Sequence, residues 1–329
     1  MLIESTYGDR SHGPRVDYLT ALADCIQRTL DRGGNVVIPS FAVGRTQELL
    51  YFIRQIKDAG MVHGHPHFPV YVDSPLANEA TRVFLQTDTS FLDDEACALI
   101  RSGINPLYFD DLHTAVTKED SMALNTDKTP KVILSSSGMC DAGRIRHHLK
   151  YNLWRPECTV VFVGYQGEGT LGRALLEGVK SVKLFGEEIA VHAQIVNFQG
   201  LSSHADRNHL LSWIQAIQAP KPQHVFVVHG DREVAPFFAK TIQGLGFTAH
   251  APQYTEVYDL IADKVTEPGY LPERKARTTG GMRASAAYER LVAVGNMLME
   301  SIKRSRGRDN KSLARFADQL RQLLEKWES

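Results

Sequence analysis

An α/β fold is predicted from three features of the sequence. Short β-branched runs alternate with stretches of helical period, small polar residues follow the strand-like runs, and the composition is ordinary for a globular chain. With 329 residues, 43% apolar and 23% charged, roughly two domains are expected. No run of ~18 apolar residues occurs, which argues against a helical membrane span. The opening MLIESTYGDR lacks the charged lead and apolar stretch of a signal peptide, which predicts a cytoplasmic protein.

The elements follow in order. Val16, Leu19, Leu22, Ala23, Ile26 and Leu30 recur at helical spacing up to Asp31, and the pair Gly33-Gly34 ends that helix. Asn35–Ile38 is a short β-branched strand, followed by a helix whose apolar face is Leu49, Leu50, Phe52, Ile53 and Ile56. The alternation continues with strands at Val70–Val72, Val132–Leu134, Val160–Val163 and Val225–Val228. Helical stretches fall near 76–86, 91–101, 142–152, 170–177 and 206–217. Residues 188–198 alternate Ile189, Val191, Ala193 and Ile195 and predict one half-buried strand. The stretch Thr266–Arg277, rich in Pro, Gly and charge, reads as a boundary, and residues 284–327 give two helical patterns split by the polar Ser305–Asn310. In the second, Leu313, Phe316, Leu320, Leu323 and Leu324 form an apolar face for a partner helix or for the body.

Charge and cysteine usage narrow the function classes. Residues 1–273 carry 24 Lys and Arg against 32 Asp and Glu, whereas residues 274–329 carry 13 against 6. A basic tail on an acidic body suits contact with nucleic acid or with the chain itself, and equally a solvated basic helix. Cys25, Cys97, Cys140 and Cys158 stand far apart with no CxxC pair, so buried reduced thiols are expected rather than a disulfide framework or a cysteine zinc module.

Four segments at the C-terminal ends of strand-like runs, where open α/β sheets place their sites, carry the candidate chemistry: Glu4–Gly8, Ser135–Met139, Ser202–Asp206 and Val228–Asp231. His229 follows the apolar run VFVV and precedes Gly230, which lets the backbone turn away. On this feature alone a core histidine and a metal or catalytic role stand level. Asp206 is a plausible N-cap for the helix after it, and His204 just before has the residue type of a general acid near neutral pH. His63-Gly-His65-Pro-His67 is read as an exposed polar loop rather than a metal site, and His147-His148 point ~100° apart on a helix, which argues against a shared metal.

Six segments, IESTYGDR, RGGNVVIPSFAVGRTQELL, SSSGMCDAGRIRHHL, VVFVGYQGEGTLGR, GLSSHAD and VVHGD, carry a resemblance in their order and spacing. Over about residues 1–262 the chain closely resembles the metallo-β-lactamase-fold nucleases with a β-CASP insertion. These are RNA-processing enzymes related to the cleavage and polyadenylation endonuclease and to the bacterial and archaeal RNA-metabolising hydrolases. The resemblance implies a partial metallo-β-lactamase (αββα) domain with a β-CASP α/β insertion domain, plus a C-terminal helical tail. Residues 1–9 would be the remnant of the N-terminal metallo-β-lactamase half, 10–180 the β-CASP domain, 181–265 the C-terminal metallo-β-lactamase segment and 266–329 the basic linker and helical tail.

It also implies RNA as partner and zinc as cofactor, two ions in a complete family site. By the same resemblance His229 looks like a zinc ligand, His204 like the acid that assists the leaving oxygen, and Glu4 like the carboxylate that orients His204. Ser136, Ser137, Gly138 and Ser202 are candidates to hold RNA phosphates, with Arg45 and Arg173 as cations; for each arginine a structural salt bridge is as good a reading. The family's His-x-His-x-Asp-His signature does not occur, which leaves His229 alone among the expected ligands. On the order of 150–200 residues, one domain's worth, are therefore expected upstream in a parent enzyme. The expectation is a zinc-dependent RNA hydrolase that is inactive as this chain, with exposed sheet edges, and with a missing N-terminal half or a second copy as partner. The alternative is a non-catalytic RNA-binding or scaffold relative.

Overall fold

The computed structural model describes residues 1–13, 17–198, 202–217, 219–272, 294–295, 298–299, 301–306 and 309–328. The chain divides into two compact units, Met1–Glu256 and Val257–Ser329. In the first unit the elements run β1 (Leu2–Glu4), α1 (Tyr18–Asp31), β2 (Val36–Pro39), α2 (Arg45–Asp58), β3 (Val70–Asp73), α3 (Pro75–Gln86), α4 (Asp94–Arg101), β4 (Leu112–Thr114), α5 (Lys118–Thr126) and β5 (Val132–Ser135). They continue with α6 (Ile145–Asn152), β6 (Thr159–Phe162), α7 (Leu171–Leu176), β7 (Ser181–Leu184), β8 (Glu187–Ala190), β9 (Gln194–Asn197), α8 (Arg207–Gln215), β10 (Val225–Val228), α9 (Val234–Gln243) and β11 (Ala249–His250).

Six strands form one parallel sheet in the order β4-β3-β5-β2-β6-β9. Its central strands VVIP, VILS and TVVF are buried at every position, because helices cover both faces and alternation is lost. The pleat still sorts the side chains. Val36, Ile38, Val161 and Val163 join Leu22, Ile26, Leu49 and Ile53 of α1 and α2 in one core. Val37, Val160 and Phe162 meet Ile145, Leu149 and Leu175 of α6 and α7 on the other face. Each such aliphatic side chain contributes ~1.5–3 kcal/mol on full burial.

A second parallel sheet, β1-β10-β11, packs Ile3, Val225 and Val227 against Phe238 and Ile242 of α9 and Leu210 and Ile214 of α8. Its register sets Leu2 beside Phe226, Ile3 beside Val227 and Glu4 beside Val228, which carries Glu4 to the end of β10, just before His229. Asp206 caps α8 as expected, its carboxylate accepting from the His209 amide at 2.9 Å.

One expectation is corrected. Residues 188–198 form two strands in different sheets: β8 pairs antiparallel with β7, and β9 adds parallel to β6. The break falls where the amides of His192 and Ala193 both donate to the Leu153 carbonyl, at 2.8 and 2.9 Å, so the backbone leaves the ladder although the side chains keep their period of two. In consequence 181–198 packs with the larger sheet.

Cys25, Cys140 and Cys158 are buried and Cys97 half-buried, all as free thiols, and burial pushes the Cys25 thiol up to about 11. The 63–67 loop is largely exposed, with His65 paired to Asp31 at 3.0 Å. In the second unit β12 (Val257–Asp259) and β13 (Lys264–Glu267) form an antiparallel pair, and α10 (Asn310–Glu328) half-buries Leu313, Phe316 and Leu320. Val16, residues 273–277 of the expected boundary and most of the first expected tail helix lie outside the described residues. Among the described residues no helix is long and apolar enough to cross a membrane.

Candidate active site

The two sheets bring their strand ends to one cleft. Pairing of β1 with β10 places Ser5 against His229, with the Ser5 amide donating to the His229 carbonyl at 3.2 Å and Ser5 Oγ donating to the Val228 carbonyl at 3.0 Å. The chain turns sharply there. His229 has φ 51°, a left-handed conformation uncommon outside glycine, and a Cβ on Gly230 would fall 2.2 Å from Ser5 Oγ. The turn is thus built around a glycine that no larger residue replaces without moving the strand end. A bridge between Tyr7 and Asp206 brings the 202–206 loop alongside.

Glu4, His204 and His229 converge. The Glu4 carboxylate accepts from His204 Nδ1 at 2.8 Å, from the Ala205 amide at 3.1 Å and from the Thr6 amide at 3.2 Å. Partial burial pushes this carboxyl up. Hydrogen bonds from Thr6 and Ala205 and the charge of His204 outweigh that and hold it below the usual glutamate range. The rings of His204 and His229 stack at 5.0 Å and 27°. Thr6 Oγ1 lies between them, 3.3 Å from Nδ1 of His204 and 3.1 Å from Nδ1 of His229, and donates to the His229 carbonyl at 3.2 Å. No described residue hydrogen-bonds Nε2 of either ring.

Among the described residues, Glu4, His204 and His229 make the one group of three or more His, Cys, Asp or Glu donors with ligand atoms within 4.8 Å of one another. The fit to a metal is unequal across the three. His229, with Nε2 open at the cleft, suits zinc. Both oxygens of Glu4 are already occupied, and His204 is tied to Glu4 through Nδ1 with only Nε2 open. A tetrahedral zinc site takes four ligands, so this cluster supplies part of one.

The cleft, about 610 Å³, has Thr6, Ser202, His204, His229 and Asp231 along one wall and Phe41, Arg45, Gly138, Met139 and Gln166 along the other. Of the expected phosphate-binding residues, Gly138, Ser202 and Arg45 line it. Gly138 gives its carbonyl to Gln166 Nε2 at 3.0 Å, Ser202 Oγ accepts from the His204 amide at 3.2 Å, and Arg45 pairs with Glu48. Ser137 Oγ donates to the Ala142 carbonyl at 3.3 Å inside its own turn, and Ser136 Oγ is buried with no hydrogen-bond partner. Arg173 lines a neighbouring cavity of about 490 Å³ instead and pairs with Glu177 at 2.8 Å.

Three features carry no sequence signal that singles them out as partners. Thr6 is one hydroxyl in a polar string. Tyr165 donates its phenol to the Asp231 carboxylate, joining the loop after β6 to the end of β10; burial, then that bond and charge, push the phenol well up. Asp73, fully buried at the end of β3, accepts from Arg144 Nη1 at 2.7 Å, Ser121 Oγ at 2.6 Å and His148 Nε2 at 2.6 Å. For this last cluster an acidic residue ending an apolar strand run is the one visible hint.

Comparison with known proteins agrees with this architecture. The Beta-Casp domain model matches residues 46–175, and the model of the Zn-dependent metallo-hydrolase RNA specificity domain matches residues 188–252. The chain belongs to the β-CASP family of metallo-β-lactamase-fold RNA nucleases. Ribonuclease TTHA0252 of Thermus thermophilus is 37% identical over 235 residues, 71% of this chain and 52% of that protein. The RNase J-like protein of Methanocaldococcus jannaschii is 35% identical over 244 residues, 74% and 54% respectively. Transcription termination factor FttA of Pyrococcus abyssi is 30% identical over 260 residues, 77% and 39%. The chain thus spans about half or less of the length of these curated relatives. Its α/β fold with parallel sheets fits the β-CASP family.

Proposed function

We propose that this chain belongs to the working half of a zinc-dependent RNA phosphodiester hydrolase. The observation that carries the reading is the 2.8 Å contact between Glu4 and His204 Nδ1 at the cleft wall. A carboxylate that accepts from one imidazole nitrogen fixes the ring's orientation and leaves Nε2 as the atom toward the cleft from which an acid would donate. His204 is then the acid that protonates the leaving ribose oxygen. Glu4 positions it, and Thr6 Oγ1 sets the spacing between the two rings. His229 would hold zinc, and zinc when bound supplies Lewis-acid stabilisation of the phosphate charge. Gly138 and Arg45 seat the RNA backbone across from the histidines, and Ser202 does so beside them.

The test is hydrolysis of end-labelled single-stranded RNA, with added zinc, by a full-length enzyme that contains this chain, beside its His204→Ala variant. Loss of cleavage by roughly 10²–10⁴-fold in the variant, with RNA binding retained, is expected for a general acid. Cleavage unchanged in His204→Ala overturns the assignment. The incomplete donor set favours a second reading, a non-catalytic RNA-binding or scaffold relative. A zinc-to-protein ratio near zero in that full-length protein, together with RNA binding and no cleavage, would select it.

A further inference from the structure

Away from the cleft, α6 and the β7–β8 hairpin together form an aromatic and basic surface. His147, Tyr151 and Trp154 recur at the spacing of one helix face, the last just past the end of α6. Tyr151 is 42% and Trp154 54% exposed. Phe185, 46% exposed at the tip of the hairpin, stacks on His147 at 4.3 Å and 20°, and the guanidinium of Arg146 stands 5.0 Å over the same ring. Lys150 ties helix to hairpin through Glu187 at 2.6 Å. Partial burial and then the neighbouring His148, Arg146, Lys150 and Lys118 hold the His147 imidazole below the usual range.

The hairpin turn shows that the Phe185 ring is not there for the backbone. Phe185 and Gly186 are its two central residues, with φ of 50° and 87°, the signs a type I′ turn requires. Asn or Asp suits the first position of such a turn, whereas a bulky aromatic there is an outlier. Flat rings beside cations fit a strand whose bases are free to stack and whose backbone is anionic. We infer that Arg146, His147, Lys150, Tyr151, Trp154 and Phe185 form a second contact for single-stranded RNA, outside the cleft. The helix that carries the row begins just after the turn containing Gly138, a cleft residue, which ties this face to the cleft through one short segment of chain. The inference rests on the reading of the chain as an RNA-handling protein.

The experiment measures fluorescence anisotropy of a short labelled oligoadenylate RNA against the chain and four variants. Phe185→Asn keeps the turn while removing the ring, so its thermal midpoint should hold or rise while affinity falls about fivefold or more, the weight of one base–aromatic stack. Trp154→Ala should act in the same direction, and Lys150→Ala should flatten the salt dependence of binding. Arg45→Ala, in the cleft, separates the two readings. If it weakens binding while Phe185→Asn and Trp154→Ala do not, the second contact falls and the cleft reading stands. If only the face variants weaken binding, the second contact stands and the cleft reading falls. Loss of self-association in Phe185→Asn with unchanged RNA affinity overturns the inference in favour of a protein-docking face.

Discussion

The Glu4 carboxylate reaches Nδ1 of His204 at 2.8 Å across 200 residues of chain, and it does so because the Tyr7–Asp206 bridge and the Ala205 amide hold the 202–206 loop beside the end of β1. Substituting Glu4→Gln keeps the size and one acceptor oxygen but removes the carboxylate charge that faces Nδ1 of His204. In a full-length enzyme that contains this chain, the expected outcome is a fall in kcat of roughly 10²–10⁴-fold with KM nearly unchanged. Steady-state cleavage of labelled RNA with a parallel melting curve checks it. An equal loss in RNA affinity would show that Glu4 shapes the cleft rather than the proton donor.

Gly230 is fixed by contact as well as by the turn. A methyl group at this position meets Ser5 Oγ and backbone, so Gly230→Ala must push β1 from β10 or displace His229. We expect a loss of ~1–3 kcal/mol, the usual cost of overpacking, with the Glu4–His204 contact disturbed as well. Urea unfolding measures the first and cleavage rate the second. A variant as stable as the parent would mean that Ser5 rotates freely out of the way.

Both the larger sheet and the place of the cleft are legible in the amino-acid sequence. Buried strands of a sheet covered on both faces read as unbroken apolar runs, which is why Val36–Pro39, Val132–Ser135 and Thr159–Phe162 stand out. The small polar residues that close such runs mark the cleft. Partners that meet only after folding leave no such trace: Thr6 sits between two rings from distant segments, and His148 reaches Asp73 from 75 residues away. The 188–198 stretch misleads for a different reason. Side-chain alternation does not report which backbone a strand pairs with, and no Gly or Pro marks the break at His192–Ala193.

The Asp73 cluster ties β3, α5 and the turn before α6 together beneath the cleft wall. Arg144, besides its ion pair with Asp73, donates to the carbonyls of Ala115 and Val116, and both ring nitrogens of His148 face acceptors, Asp73 at 2.6 Å and Asn125 Oδ1 at 2.9 Å. Asp73→Ala strands two buried donors and a cation, and a loss of ~3–5 kcal/mol is expected, the scale for breaking a buried pair. Asp73→Asn, which can still accept, should lose less. If both variants unfold at the parent's urea midpoint, the cluster is not holding the turn.

Asp206 gives a pH prediction with a definite sign. Burial raises its carboxyl, but the amides of His209 and His12 and the His209 ring outweigh it, and the group is lowered to about 2. An acid whose folded pKa lies below its unfolded value near 3.9 stabilises the fold fully above that value. The contribution, ~1–2 kcal/mol, is lost as pH falls from about 4 toward about 2. Asp206→Asn keeps an N-cap acceptor without the charge. The variant should therefore melt below the parent at pH 7, and the gap should close as the pH approaches 2. A gap independent of pH would assign the role of Asp206 to capping geometry alone.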